Sequence, residues 1–232
     1  MSKTGVILAG GMGTRLAEPS AESFVETRSP SRQTPLLKPW AELAGKTLLK
    51  HAYERLAPQV DEVFISVSKD FEGETLLGCP IIRDIEAAPI DGTVSSRSPI
   101  RKTGGPLVGI ASILQYFQSQ RPDASCDPEE AGGIITVPVD MPFLPRDIAA
   151  RLAGVTREPG QPSYAFCGGR DFPTCALWPL SLAPQLMEWV VEEEMRAIYK
   201  ALRRFGALRV EFADEHRNAF LNINSPKDME NA

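Results

Sequence analysis

A glycine-rich turn near the start of the sequence contains the first residues that could do chemistry. Gly10, Gly11 and Gly13 follow the apolar run 6–8, and Arg15 stands two residues further on. Glycines let the backbone turn tightly and let its N–H groups approach phosphate oxygens, and an arginine adds a planar fork of donors that suits phosphate. The segment therefore predicts a phosphate-binding turn, with a glycine turn that holds no ligand as the alternative.

Two common nucleotide-binding patterns do not fit this turn. A P-loop needs a lysine followed by a hydroxyl residue after its last glycine, and the turn has no lysine. A dinucleotide-binding fingerprint needs a third glycine at the place where the sequence has Leu16.

A lysine and an aspartate are the next candidates. Lys38, which precedes Pro39, predicts a second cation that neutralises a triphosphate, and a plain surface charge is the alternative. Asp140 ends the apolar run 134–139, so its carboxylate is expected in the crevice beyond the carboxyl end of a strand, where open α/β sheets bind ligands. Because Mg²⁺ is often held by one or two carboxylates and phosphate oxygens, Asp140 predicts a magnesium ligand; capping of the next turn is the alternative.

Composition argues against several other kinds of site and partner. His51 and His216 are the only histidines, and the four cysteines form no C-x-x-C pair, so neither a zinc site nor a histidine-activated nucleophile is expected. A net charge of −5 argues against nucleic acid. No apolar run approaches the roughly 20 residues of a membrane span, so no membrane partner is expected. The scattered cysteines favour reduced thiols and a cytoplasmic location.

Short strand patterns alternate with helix patterns, which predicts an α/β fold with a mainly parallel sheet to position these residues. Strands are expected over 6–8, 62–67, 80–84 and 133–139, and helices over 47–56, 107–117 and 145–152. Two long segments, 18–35 and 87–104, are expected to be loops.

The pattern changes in the last third of the chain. Short β-type runs over 164–166 and 175–178 could pair in the antiparallel sense on the otherwise parallel sheet. Apolar residues at a period near 3.6 predict a helix over 182–205, with three glutamates on a solvated face. Final strands are expected over 207–212 and 220–223, before a helix that begins at Ser225 and Pro226.

A series of segments resembles the molybdenum-cofactor guanylyltransferase family, also called MobA-like NTP transferases. The segments are 8–16 (LAGGMGTRL), Lys38, 45–49 (GKTLL), Asp84, 105–110 (GPLVGI), 139–145 (VDMPFLP), 173–177 (PTCAL) and 220–226 (FLNINSP). They follow the family order over nearly the whole chain. The Leu-Ala-Gly-Gly and Gly-Pro-Leu segments resemble guanylyl enzymes more than cytidylyl enzymes, which favour Leu-Ala-Ala-Gly.

The resemblance implies a Rossmann-like, three-layer α/β/α nucleotidyltransferase fold, with a mostly parallel sheet that includes an antiparallel element. Residues 1–232 would form a single domain. The implied reaction is Mg²⁺-dependent transfer of GMP from GTP to the phosphate of molybdopterin cofactor, with release of pyrophosphate. Contact with cofactor-biosynthesis proteins or molybdoenzymes would accompany it. Two alternatives remain at this point: a CTP- or UTP-dependent enzyme acting on a sugar phosphate or another small phosphate, and a non-catalytic nucleotide-binding protein.

The resemblance also implies residue roles. The nucleotide would be bound by Leu8, Ala9, Gly10, Gly11, Gly13, Arg15, Lys38, Ser66, Asp84, Gly105, Pro106, Leu107 and Asp140. Arg15, Lys38 and Asp140 would be catalytic, and Asp140 would hold Mg²⁺. Asp84 would lie at the guanosine, and Ser66 stands where the family often has an asparagine near the nucleotide sugar or base. Asn222 and Asn224 would face the acceptor.

Overall fold

The computed structural model describes residues 3–10, 38–85, 105–120, 132–155, 158 and 160–230. The strands are β1 (Thr4–Leu8), β2 (Glu42–Leu43), β3 (Lys46–Thr47), β4 (Glu62–Val67), β5 (Thr75–Leu76), β6 (Cys79–Arg83), β7 (Gly133–Pro138), β8 (Ser163–Cys167), β9 (Arg170–Pro179) and β10 (Leu208–Phe212). The α-helices are α1 (Leu48–Leu56), α2 (Pro106–Ser119), α3 (Ile148–Gly154), α4 (Ala183–Val191), α5 (Ile198–Arg204) and α6 (Pro226–Glu230). The expected loops 18–35 and 87–104 lie outside the described residues.

An eight-stranded sheet in the order β10-β8-β9-β7-β1-β4-β6-β5 organises the described part of the chain. The pairs β7–β1, β1–β4, β4–β6 and β8–β10 are parallel. β9 runs antiparallel to both of its neighbours, β7 and β8, and β5 runs antiparallel to β6. The predicted mainly parallel sheet with an antiparallel element is therefore confirmed.

The sheet separates two apolar layers because successive strand residues point to opposite faces. In β1, Val6 belongs to the cluster that packs against α2, α4 and α5, whereas Ile7 belongs to the cluster on the side of α1 and α3. Both side chains are fully buried. The expected three-layer α/β/α arrangement is confirmed by these two clusters.

Local sequence signals explain where several helices begin. The Thr47 hydroxyl accepts a hydrogen bond from the Lys50 N–H at 3.2 Å and caps α1. Pro106 is the first residue of α2, where the missing N–H costs nothing. The predicted helices over 47–56 and 107–117 are confirmed with shifts of one or two residues at their ends.

The single helix predicted over 182–205 is wrong, because the chain forms two helices, α4 and α5, with an irregular link between them. The link contains Glu194 in the left-handed region, with a φ of 51°. Three successive glutamates follow α4 directly, where the negative end of the helix dipole disfavours carboxylates. The apolar period lapses at this break, because the positions three and four residues after Val190 are Glu193 and Glu194.

The final strand predicted over 220–223 is also wrong. A 3₁₀ segment covers Asp214–Phe220, and the residues after it follow an extended path outside the sheet. The Ile223 N–H donates to the Asp140 carbonyl at 2.8 Å, so this segment pairs with the chain that leaves β7. The predicted strand over 207–212 is confirmed as β10.

No helix in the described ranges is long and apolar enough to cross a membrane.

Candidate active site

The candidate site lies along the edge of the sheet where the parallel strands end. Gly10 follows β1, Asp84 follows β6 and Asp140 follows β7, so three predicted site residues emerge at the same edge. Backbone bonds continue past the strand ends: the Ala9 N–H donates to the Ser66 carbonyl at 2.8 Å, and the Val139 N–H donates to the Leu8 carbonyl at 3.1 Å. These bonds keep the segments after β1 and β7 in register.

Lys38, Asp140 and Asn224 come together at this edge although they are far apart in the sequence. The Lys38 ammonium donates to Oδ2 of Asp140 at 2.5 Å and to Oδ1 of Asn224 at 2.6 Å. The side chains of Lys38 and Asp140 are only 12% and 18% exposed. The sequence had assigned Lys38 to phosphate and Asp140 to metal, and their direct ion pair was not predicted.

The backbone holds Asn224 in place from two sides. Next to it, Ile223 is tied to the Asp140 carbonyl, as described above. On the other side, Asp228 in α6 accepts hydrogen bonds from the N–H groups of Asn224 and Ser225 at 2.9 and 2.8 Å. These bonds, together with nearby Lys38, hold the pKa of Asp228 below its usual range. The amide is therefore presented to Lys38 on a fixed turn.

Asp140 keeps one carboxylate oxygen without a partner. Oδ2 receives Lys38, while Oδ1 is buried and has no hydrogen bond within the described part of the chain. No cluster of three or more potential metal ligands occurs among the described residues. An unpartnered buried carboxylate oxygen nevertheless fits Mg²⁺, which commonly takes one carboxylate and completes its shell with phosphate oxygens and water.

A second carboxylate, Asp84, is enclosed by small residues. Its Oδ1 lies 3.1 Å from the position that a Cβ would take at Gly109 in α2, and its Oδ2 lies 3.4 Å from the corresponding position at Gly10. Oδ1 is buried and has no hydrogen-bond partner among the described residues. Burial raises the pKa of Asp84 to about 6, and the hydrogen bond from Ser66 acts in the opposite direction.

Gly109 was not predicted as a site residue, although a signal was available. A glycine in a helix interior costs about 1 kcal/mol relative to alanine, so its presence there needs a reason. Here the missing side chain leaves room beside Ser66 and Asp84.

The remaining predicted residues are placed as follows. Gly105 caps α2 and Pro106 is its first residue, beside the carboxyl edge of the sheet. Leu107 is fully buried in the core, so it exposes no surface to a ligand in this structure. Gly11, Gly13 and Arg15 lie outside the described residues.

A cleft of about 850 Å³ opens beside Lys38 and Asp140. Asn222 and Asn224, the two residues predicted to face the acceptor, both line it. Met141 forms part of its wall, and the remainder comes from the β8–β9 turn and the segment after β10. The two asparagines therefore share a cavity, and one of them, Asn224, also contacts Lys38.

The open α/β sheet carries two carboxylates and a lysine at one edge, and similarity to known proteins places the chain in the class of nucleotidyltransferases. Residues 5–205 match the MobA-like NTP transferase domain family. The chain is 34% identical to a molybdenum cofactor guanylyltransferase of Cereibacter sphaeroides, over 98% of this chain and 94% of the relative. The chain belongs to the MobA-like NTP transferase family, as its motifs had predicted.

Solved structures show the same fold. A molybdopterin-guanine dinucleotide biosynthesis protein A from Archaeoglobus fulgidus superposes with a TM-score of 0.60 at 19% identity, covering 98% of this chain and 95% of its own. A 2-C-methyl-D-erythritol 4-phosphate cytidylyltransferase from Thermus thermophilus superposes with a TM-score of 0.57 at 15% identity, covering 100% and 97%. At these identities the likeness concerns the fold alone.

Proposed function

We propose that the protein transfers GMP from GTP to the terminal phosphate of molybdopterin cofactor, releases pyrophosphate, and requires Mg²⁺. The observation that carries the proposal is that Asp84 and Asp140 each have one buried carboxylate oxygen, at the same edge of the sheet, with no hydrogen-bond partner among the described residues. The Asp84 carboxylate suits a guanine base, and the Asp140 carboxylate suits a metal ion bound to phosphates. The name and identity of the Cereibacter relative support the same reaction.

Asp84 favours guanine by the pattern of hydrogen-bond donors that it can accept. An ionised carboxylate only accepts hydrogen bonds, and it can accept two in parallel. Guanine presents two adjacent donors, N1–H and the N2 amino group, whereas adenine, cytosine and uracil each place an acceptor beside their donor. The burial that raises the pKa of Asp84 also makes an unmatched base costly.

Lys38 and Asp140 would change partners when the nucleotide arrives. In the described structure they neutralise each other. With nucleotide present, the Lys38 ammonium would turn to a phosphate and the Asp140 carboxylate would hold Mg²⁺. The bound metal would supply charge stabilisation at the α-phosphate and the leaving pyrophosphate. Metal and nucleotide are therefore expected to strengthen each other's binding.

The acceptor needs no strong base. Its phosphate is already anionic, so the protein must bring two polyanions together and stabilise the charge that develops. Lys38 would neutralise part of the negative charge that develops, and Asn224 would orient the Lys38 ammonium. Arg15 and the N–H groups of the glycine turn are proposed to contribute as the resemblance implies.

A single domain over residues 1–232 and a cytoplasmic location are parts of the same proposal. Cys79, Cys167 and Cys175 are buried free thiols, which supports a reducing compartment.

The experiment measures pyrophosphate release with Mg²⁺ from GTP, CTP, UTP, ATP and xanthosine triphosphate, each with and without molybdopterin. Release is expected from GTP only, and only with the acceptor. The variant Asp84→Asn is expected to lose GTP and to gain xanthosine triphosphate, because xanthine replaces the N2 donor with an oxygen that an amide N–H can meet. Asp70→Asn, at an exposed position, is the matched control. Equal use of CTP or UTP by the unaltered protein would contradict the proposal.

A further inference from the structure

The cleft beside the lysine–aspartate pair extends well beyond the two asparagines. Its far end is formed by the turn between β8 and β9 and by the 3₁₀ segment Asp214–Phe220. At about 850 Å³ it is much larger than a phosphate group requires. The end remote from Asn224 is therefore free to bind a second part of a ligand whose phosphate reaches Lys38.

Two arginines stand at this far end. Arg170 is the first residue of β9 and Arg217 lies in the 3₁₀ segment; both line the cleft and both are exposed. Neither takes part in an ion pair with any residue that the structure describes, whereas Arg151, Arg204 and Arg209 do. Their guanidinium groups therefore do not stabilise the described fold through ion pairs.

Two acidic residues at the cleft are already paired, although Asp214 and Glu215 share the 3₁₀ segment with Arg217. Asp171, which also lines the cleft, is paired with Arg209 at 3.0 Å, and Asp140 is paired with Lys38. Arg170 and Arg217 thus bring two guanidinium groups to the cleft although the whole chain has a net charge of −5. An anionic ligand would be attracted to this end and repelled by most of the surface.

The position of Arg217 is set by Gly168. Gly168 has a φ of 56°, and a Cβ at this residue would stand 2.7 Å from Nε of Arg217. The guanidinium thus lies directly against the backbone of the turn that leads into Arg170. A residue with a side chain at position 168 would displace it.

Part of the cleft lining is apolar and aromatic. Phe172 and Phe220 both line the cleft, and their rings are stacked with centroids 4.7 Å apart and an interplanar angle of 27°. Leu221 is 38% exposed on the same surface. Such a wall suits the face of a flat ring system.

We propose that Arg170 and Arg217 bind the end of the acceptor that is remote from its phosphate, a flat heterocycle bearing oxyanions or ring carbonyls. This inference rests on the proposed function and deepens it by assigning acceptor recognition to these two residues. Planar guanidinium groups pair with carbonyl and oxyanion edges in two-bond contacts, and the aromatic wall covers a ring face. The acceptor's phosphate then lies at Asn224 and Lys38.

The test measures binding of a pterin that carries a terminal phosphate, followed by the fluorescence of its ring, to the full-length protein without GTP. Arg170→Gln and Arg217→Gln are each expected to weaken binding about tenfold or more, since each loses a charge-assisted contact. Arg203→Gln, an exposed arginine on α5, is the matched control and should bind as tightly as the unaltered protein. Inorganic phosphate, measured as a competitor, should bind equally to all four proteins.

A further variant and several outcomes distinguish a failure of this inference from a failure of the proposed function. Gly168→Ala should reproduce the effect of Arg217→Gln, and if that variant fails to fold, Arg217→Gln alone decides the matter. Unchanged pterin binding in both arginine variants would overturn the inference. So would a loss of inorganic phosphate binding as large as the loss of pterin binding. Arginine-dependent pterin binding without pyrophosphate release by the unaltered protein would support the inference while contradicting the proposed function.

Discussion

Replacing Asp84 by asparagine is expected to stabilise the folded protein at neutral pH. The carboxyl is buried between Gly10 and Gly109, with Oδ1 unpartnered in the described part of the chain. Burial raises its pKa from 3.8 to about 6. At pH 7 the carboxylate is therefore ionised in both states, and its charge is less favourable in the folded protein than in the unfolded chain. Asparagine keeps the shape of the side chain and removes that charge.

The magnitude follows from the difference in pKa. A change from 3.8 to about 6 corresponds to a ceiling of about 3 kcal/mol in the free energy of unfolding. Water that reaches the half-buried carboxyl screens part of this cost, so we expect a gain of about 1–2 kcal/mol at pH 7.5.

The pH dependence gives the sharper test. The folded pKa of Asp84 is the higher one, so between about pH 4 and pH 6 the folded protein binds more protons than the unfolded chain. The stability that protonated Asp84 contributes is therefore present below about pH 4 and is lost as the pH rises through 6. The gain from Asp84→Asn should fall at pH 4.5 to about one third of its value at pH 7.5.

The assay is urea unfolding followed by tryptophan fluorescence at pH 7.5 and 4.5, because Trp178 and Trp189 are buried in the core. Asp70→Asn, at an exposed position, should leave the free energy of unfolding unchanged at both pH values. A gain that is the same at both pH values, or no gain at pH 7.5, would refute the reasoning.

Three further predictions concern catalysis. Asp140→Ala should lower kcat by about 10²–10⁴-fold, and near-normal turnover would exclude the metal role. The circular dichroism spectrum should be unchanged, because the Asp140 group that accepts the hydrogen bond from Ile223 is its main-chain carbonyl. Lys38→Ala should raise the KM for GTP about tenfold or more in steady-state assays, and an unchanged KM would remove Lys38 from the phosphate site. Removing divalent ions with a chelator should abolish pyrophosphate release, added Mg²⁺ should restore it, and activity that survives the chelator would contradict the metal requirement.

Topology made part of the site predictable from sequence. A carboxylate directly after a buried parallel strand must emerge at the carboxyl edge of the sheet, so the place of Asp140 follows from the run before it. Asp84 lies at the same edge because its strand is parallel to β4. The mainly parallel sheet follows from strand and helix patterns that alternate along the chain.

Contacts between distant segments could not be predicted in this way. Lys38 lies 102 residues from Asp140 and 186 from Asn224, and no periodicity connects irregular segments at such separations. Arg170 and Arg217 were missed because a charge at a hairpin and a charge in a 3₁₀ segment resemble ordinary surface residues. The break between α4 and α5 was missed because the apolar residues on its two sides were read as one period, although Glu193 and Glu194 interrupt it.

The antiparallel direction of β9 determines which part of the site can vary in sequence. Because β9 starts at the carboxyl edge, this edge receives a short hairpin turn, Gly168–Gly169, where a parallel strand would have required a helical crossover. Hairpin turns accept substitutions and insertions more readily than crossovers. Sequence change in this turn would reshape the far end of the cleft, while β1, β6 and α2, which surround Asp84, would keep their positions. Under the proposed assignment, the acceptor half of the site can therefore change while the nucleotide half is preserved.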